Sequence, residues 1–397
     1  MWKINYIFLL VIWNVKANPS FQSSNKKTLY TDYIVIQYIY YTRIALGEPY
    51  QSFLTEINLE KNYSCFNSYS YKLNISKTLK NHGVSTVPIE NISYYTDYCE
   101  DDLRFISINT PGSEISLQNK IKNFPFFLVD YEMGIIGDSF SLNFHTLNSI
   151  NSTINSLYKN EIIDRRIFYM IPDNETRGKL IFGDISNDYL INNYHKASCK
   201  VTNPENSTRW GCTLNEFSLE VEDKVFSTKR GEFSYFITNE RDIFAPHSFL
   251  GFLNETLLKL EPWKSKCQFG HYYKMNKIKC DCSLLKVPIK MKFAIGRYIF
   301  ELNQLLENTL GLCFLILRFK PKDTNEWIIG NWFLSNYISG FDYDNQEISF
   351  YSKQEFKTIN IQDISNYIFP IIIINLILLL LTSLLNFYHY YRYIHQK

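Results

Sequence analysis

Apolar and polar residues follow one another along most of this chain in short runs with partial two-residue alternation, rich in Ile, Tyr, Phe and Val and broken by Asn, Gly and Asp. Runs at 34–43, 289–300 and 347–351 are typical, and this period predicts strands that bury one face. Helical spacing is confined to 147–160, 248–260 and 302–308. The pattern predicts an all-β body with a few small helices.

The two ends depart from it. Lys3, the apolar run 7–13 and the small residues Val15 and Ala17 predict a signal peptide at 1–17, since the run falls short of the ~20 residues that cross a bilayer. From Tyr367 to Leu385 no residue is charged, Tyr388, Tyr390, Tyr391 and Tyr393 follow, and Arg392 and Lys397 sit in the last residues. Length, aromatic belt and positive tail predict a transmembrane helix at 367–387 and a cytoplasmic tail at 388–397. The chain is therefore expected in the secretory pathway, at the cell surface or on an endomembrane, as a single-pass protein with a lumenal or extracellular body. The membrane is its expected partner.

Composition adds compartment and exclusions. The 41 basic and 39 acidic residues give a net charge of +2 with no basic stripe, so nucleic acid is not an expected partner. Eight cysteines in an oxidising route predict disulfides, and no spacing suits a zinc site: Cys280 and Cys282 stand too close. No cofactor or metal is expected. Seven Asn-x-Ser/Thr sequons, at Asn62, Asn74, Asn91, Asn151, Asn174, Asn206 and Asn254, fit a glycosylated lumenal surface. Cys199 and Cys212 are candidates for a local bridge.

A faint repeat, Gly134-Ile135-Ile136-Gly137 and Trp327-Ile328-Ile329-Gly330, divides the body into halves. Around it lie longer motifs: Tyr41-Thr42-Arg43-Ile44-Ala45-Leu46-Gly47-Glu48-Pro49-Tyr50-Gln51-Ser52-Phe53, then Gly178-Lys179-Leu180-Ile181-Phe182-Gly183-Asp184, then EWIIGNWFLSNYISGFDYDNQEISF from Glu326. In order and spacing these resemble the pepsin family of aspartic proteases from about Tyr40 to Tyr351. The resemblance implies a bilobal fold of two β-barrel-like lobes with a cleft between them, placed at 40–195 and 196–352 after a short N-terminal segment at 18–39 and before a juxtamembrane linker at 353–366. By the same resemblance Cys280 and Cys313 form the disulfide of the second lobe, leaving Cys65, Cys99, Cys199, Cys212, Cys267 and Cys282 for further bridges.

Such a protease needs two carboxylates that share a proton and grip one water, each supplied in the family by an Asp-Thr-Gly turn. The spacing puts the first turn on Asn58-Leu59-Glu60 and the second on Ile237-Thr238-Asn239, so Asn58 and Ile237 occupy the aspartate positions and Glu60 and Asn239 the glycine positions. Neither an amide nor an alkyl chain can act as base. A mobile flap would carry Tyr94, though its usual glycines are missing. Glu60 and Glu240 are the candidates for displaced carboxylates, and too few residues separate Ala17 from Tyr40 for the family's prosegment. The expectation is an inactive protease homologue with a peptide- or protein-binding or surface role. The alternatives are an aspartic endopeptidase using displaced carboxylates and a structural surface protein with a closed cleft.

Overall fold

The computed structural model describes residues 27–36, 39–61, 63–89, 92–106, 120–129, 138–142, 153–174, 176–185, 190, 192–202, 209–272, 275–303, 305–309, 311–319, 325–358, 373 and 379–383. The expected signal peptide lies outside them. So does most of the expected membrane span, of which 379–383 are helical. Among the described residues no helix is long and apolar enough to cross a membrane.

The body is mostly strand. The first half contributes β1 (Leu29–Ile36), β2 (Ile39–Leu46), β3 (Gln51–Asn58), β4 (Cys65–Asn67), β5 (Lys80–Ile89), β6 (Ile92–Ile106), β7 (Ile121–Val129), β8 (Ser139–Ser141), β9 (Ile167–Asn174), β10 (Arg177–Phe182) and β11 (His195–Lys200). The second adds β12 (Gly211–Val221), β13 (Lys224–Phe236), β14 (Ile243–Ala245), β15 (Cys267–Tyr272), β16 (Met275–Cys280), β17 (Ile289–Ile295), β18 (Tyr298–Leu302), β19 (Leu306–Thr309), β20 (Leu312–Phe319), β21 (Glu326–Ile329), β22 (Ile338–Asp342), β23 (Glu347–Ser352) and β24 (Lys357–Thr358). The first sheet runs β11-β23-β22-β9-β10-β1-β2-β3-β8-β4-β7-β6-β5, and the second β15-β16-β20-β14-β21-β13-β12-β17-β18-β24 with β19 on β20.

The last hairpin, β22 and β23, thus leaves the second half of the chain and is inserted between β11 and β9. The segment expected to precede the first lobe holds β1, which pairs with both β10 and β2. A division into lobes by sequence position therefore cuts through one continuous sheet. Alternation explains the local choices: Tyr40, Thr42 and Ile44 of β2 point inward while Ile39, Tyr41 and Arg43 are partly exposed. Where the halves meet, Phe168 stacks on Phe341 at 4.8 Å, and Trp210 packs against Phe341 at 5.2 Å and Tyr343 at 4.8 Å.

Several local expectations change. The run 34–43 is a hairpin rather than one strand, with Ile36 opposite Ile39. The run 289–300 is likewise split, at Gly296, whose φ of +58° suits a residue without a Cβ. The helix expected at 302–308 is replaced by β19, paired with β20 around Gly311 at φ +82°. Its apolar pair, Leu305 and Leu306, is buried, and so short a run fits strand and helix equally. The helices Thr153–Lys159 and Phe249–Glu255 fall inside their expected stretches.

Three disulfides join Cys199 to Cys212, Cys267 to Cys280 and Cys282 to Cys313. The expected Cys280–Cys313 bridge is absent. Cys280 does face Cys313 across β16 and β20, but it also faces Cys267 across β15 and β16. Two partners thus compete for Cys280, and it closes on Cys267 with the Cα atoms 4.1 Å apart, leaving Cys313 to Cys282, which follows the same strand. Cys65 and Cys99 are buried and reduced. Cys65 lies opposite Phe127 and Cys99 opposite Phe126, so they point to opposite faces of the sheet and cannot meet. The disulfides fit an extracellular or secretory-pathway protein. Of the sequon asparagines, Asn74, Asn174 and Asn254 are described, and all are exposed.

Candidate active site

Strand β3 ends at Asn58, which is 1 % exposed and paired in parallel with Ser141 of β8. Its side chain is fully engaged. Oδ1 accepts from the backbone N–H of Glu60 and of Lys61, both at 2.8 Å, and Nδ2 donates to Glu56 Oε1 at 2.6 Å. The amide thus closes the turn as a side-chain cap, satisfying two backbone donors that strand pairing leaves over. Leu59 is completely buried beneath it.

In the second half β13 runs into Ile237 and Thr238, 2 % and 1 % exposed. The N–H of Ile237 donates to Ile329 O at 3.0 Å. Thr238 Oγ1 donates to Ile57 O at 2.6 Å, between residues 181 positions apart. This hydrogen bond ties the second turn to the strand that carries Asn58. Asn331 supports it: Nδ2 donates to Thr238 O at 2.8 Å, and its N–H donates to Glu240 O at 2.8 Å. Gly330 is required here, because a Cβ would lie 2.4 Å from Asp242 O and 2.5 Å from Glu240 O. A second tie joins the halves, from Trp210 Nε1 to Leu142 O at 2.9 Å.

Glu60 and Asn239, the residues expected at the two glycine positions, have φ outside the left-handed region. No left-handed strain falls on them. Instead the Asn239 side chain approaches Glu60 where the turns meet and favours its charged form. Burial pushes the Glu60 carboxyl up, against the pull of the Arg209 guanidinium and the Asn239 amide, while Glu240 and Glu56 add repulsion. Arg209 also lies 4.2 Å from the Tyr235 ring centroid and 3.7 Å from Glu326.

Glu240 turns towards its own half. Its carboxylate is 3.3 Å from Arg318 Nη1, and burial pushes it up against Arg318 and Lys277 while Asp242 repels it. Asp242 takes the Arg318 Nε hydrogen bond and lies 3.5 Å from Lys277. Glu60 senses the charge of Glu240, but each is held by a different partner. Tyr94 sits in the β5–β6 hairpin opposite Val87, and its side chain is outside the described residues.

Two turns at the ends of buried strands, cross-linked by a threonine hydroxyl and backed by the Trp327–Asn331 segment, form the frame that the matching profile describes: eukaryotic aspartyl protease, over residues 39–353. The chain belongs to this family. No curated protein matches it. Within the aspartyl protease frame, sequence reasoning did not find Arg209, which lies beside Glu60 only because the halves are docked. The Glu56–Asn58 contact was available to it, because residues two apart on a strand share a face. Asn331 acts as a clamp on the second turn.

Proposed function

We propose that this aspartyl protease homologue has lost peptide hydrolysis and serves as a membrane-anchored body that binds a peptide or protein. The observation that carries the proposal is the chemistry at the meeting turns. Asn58 spends both ends of its amide on the turn itself and on Glu56, and Ile237 offers only a buried alkyl chain. A general base and a general acid on one water have no candidates at these two positions. Anchoring is supported by the charge-free stretch 367–385 and by Leu379, Leu380 and Leu381, which are 64, 63 and 51 % exposed on a helical segment and call for an apolar surrounding.

The test uses the full-length chain in detergent, incubated with quenched-fluorescent peptide libraries from pH 3 to 7. No turnover is expected. Alkaline carbonate extraction should leave the chain in the membrane pellet, whereas truncation at residue 366 should release it into the medium.

A second reading is an aspartic endopeptidase using Glu60 and Glu240, favoured by the repulsion Glu240 exerts on Glu60 and by the burial that pushes both carboxyls up. It requires acid-optimal, pepstatin-sensitive cleavage that Glu60→Gln or Glu240→Gln abolishes. The Glu60–Asn239 contact between the turns also suits a closed, purely structural body. Binding of any peptide in competition with pepstatin would exclude that last reading.

A further inference from the structure

Away from the meeting turns, β11, the start of β12 and the β17–β18 turn line an open surface cavity of about 460 Å³. The Cys199–Cys212 disulfide forms part of its wall and pins β11 to β12. Lys200, Arg297, Thr202, Thr213 and Tyr298 line it. The turn is fixed from both sides: Asn215 Nδ2 donates to Gly296 O at 2.7 Å, and the Gly296 N–H donates to Thr213 O at 3.3 Å. Arg297 is thereby held at the mouth, its guanidinium 5.0 Å from the Tyr298 ring centroid and Nη2 donating to the Tyr298 hydroxyl at 2.8 Å.

Among the described residues Arg297 has no carboxylate partner. Lys200 donates to Asn345 O at 3.1 Å and shares Glu347, at 3.5 Å, with Lys196, at 2.8 Å, so its ammonium is held at the rim, on the β23 side. Thr202 and Thr213 meet hydroxyl to hydroxyl at 3.3 Å, leaving oxygen lone pairs and one hydroxyl proton free to turn towards a guest.

We propose that this cavity binds a phosphate ester. The Arg297 guanidinium fork and the free hydroxyl protons of Thr202 and Tyr298 supply more donors than the two oxygens of a carboxylate can use, and with the Lys200 charge at the rim they suit a tetrahedral oxyanion approached from several sides. Stacking on Tyr298 presets the Arg297 fork, which lowers the ordering cost of binding. The same chemistry is offered by a soluble phosphate ester and by an anionic lipid headgroup. Tyr298 pairs with Thr358, and at ~3.5 Å per residue the following 359–366 reach at most about 30 Å to the expected span, so a headgroup is within range. That lipid source rests on the anchoring proposed above, whereas the phosphate site does not.

The full-length chain in uncharged detergent, titrated calorimetrically with inorganic phosphate, tests the site itself. Saturable binding is expected, weakened about tenfold or more by Arg297→Gln, because a hydrogen-bonded charge pair is lost. Thr213→Val should weaken it less, and both variants should keep the wild-type melting temperature to within a few degrees. The source is read by native mass spectrometry of the chain taken from nanodiscs of equal phosphatidylserine and phosphatidylcholine. Retention of phosphatidylserine that Arg297→Gln removes assigns a headgroup. Phosphate binding without lipid preference assigns a soluble ester. Absence of phosphate binding, or equal binding by Arg297→Gln, overturns the proposal, and neither result bears on carbonate extraction.

Discussion

Replacing Asn58 by aspartate installs the residue expected there from the family resemblance and places a second carboxylate against Glu56. The Asn58 Nδ2–Glu56 Oε1 distance is 2.6 Å, and Asn58 is 1 % exposed. Two carboxylates this close do not both ionise, and at acid pH a shared proton replaces the amide hydrogen bond. Near pH 4 the variant should therefore be about as stable as wild type. With rising pH two routes remain. Holding the proton on a group that ionises near ~3.9 when unfolded costs about 1.4 kcal/mol per pH unit, hence ~4 kcal/mol at pH 7. Ionising both groups at ~4 Å costs about 4 kcal/mol at an effective dielectric constant of 20. The partial exposure of Glu56 reduces the second figure, giving roughly 2–4 kcal/mol at pH 7.

The sign follows from linkage. The shared proton has a raised folded-state value, so its contribution is whole below the unfolded value and lost as pH rises through the folded one. Urea unfolding of full-length wild type and Asn58→Asp, followed by tryptophan fluorescence from pH 4 to 7, should give a difference that widens steadily. A difference independent of pH, or none at pH 7, would refute the placement of Glu56 against Asn58 and with it the self-contained first turn.

Thr238→Val removes the hydroxyl that joins the halves and leaves Ile57 O without that donor, so stability should fall by about 1–3 kcal/mol with the fold retained; calorimetry checks it, and an unchanged melting temperature counts against the tie. Burial raises the Glu60 carboxyl, so its contribution is intact in acid and lost as pH rises through the raised value. Glu60→Gln should flatten the fall in melting temperature between pH 4 and 7, and parallel curves would contradict the buried placement. Non-reducing peptide mapping should recover Cys267 with Cys280 and Cys282 with Cys313, while a peptide joining Cys280 to Cys313 would disprove the pairing. Cys282→Ala should cost roughly 2–4 kcal/mol through the freed loop.

The sequence by itself determined what depends on near neighbours. Two-residue alternation marked the strands, Gly47-Glu48-Pro49 and Trp327-Ile328-Ile329-Gly330 carried the family resemblance, and counting on from Gly47-Glu48-Pro49 and back from Ala245-Pro246 gave the expectation for Asn58 and Ile237. Alternation also decides that Glu56 and Asn58 share a face. Tertiary structure decided what depends on surfaces brought together from afar: the hydroxyl bond between Thr238 and Ile57, the approach of Arg209 and Asn239 to Glu60, and the insertion of β22 and β23 beside β9. It also chose Cys267 for Cys280 from a row of near-equal partners, and strand rather than helix for the short run at Leu306. A local pattern fixes which way a side chain points, whereas its partner is fixed by which buried faces must close on one another to exclude water.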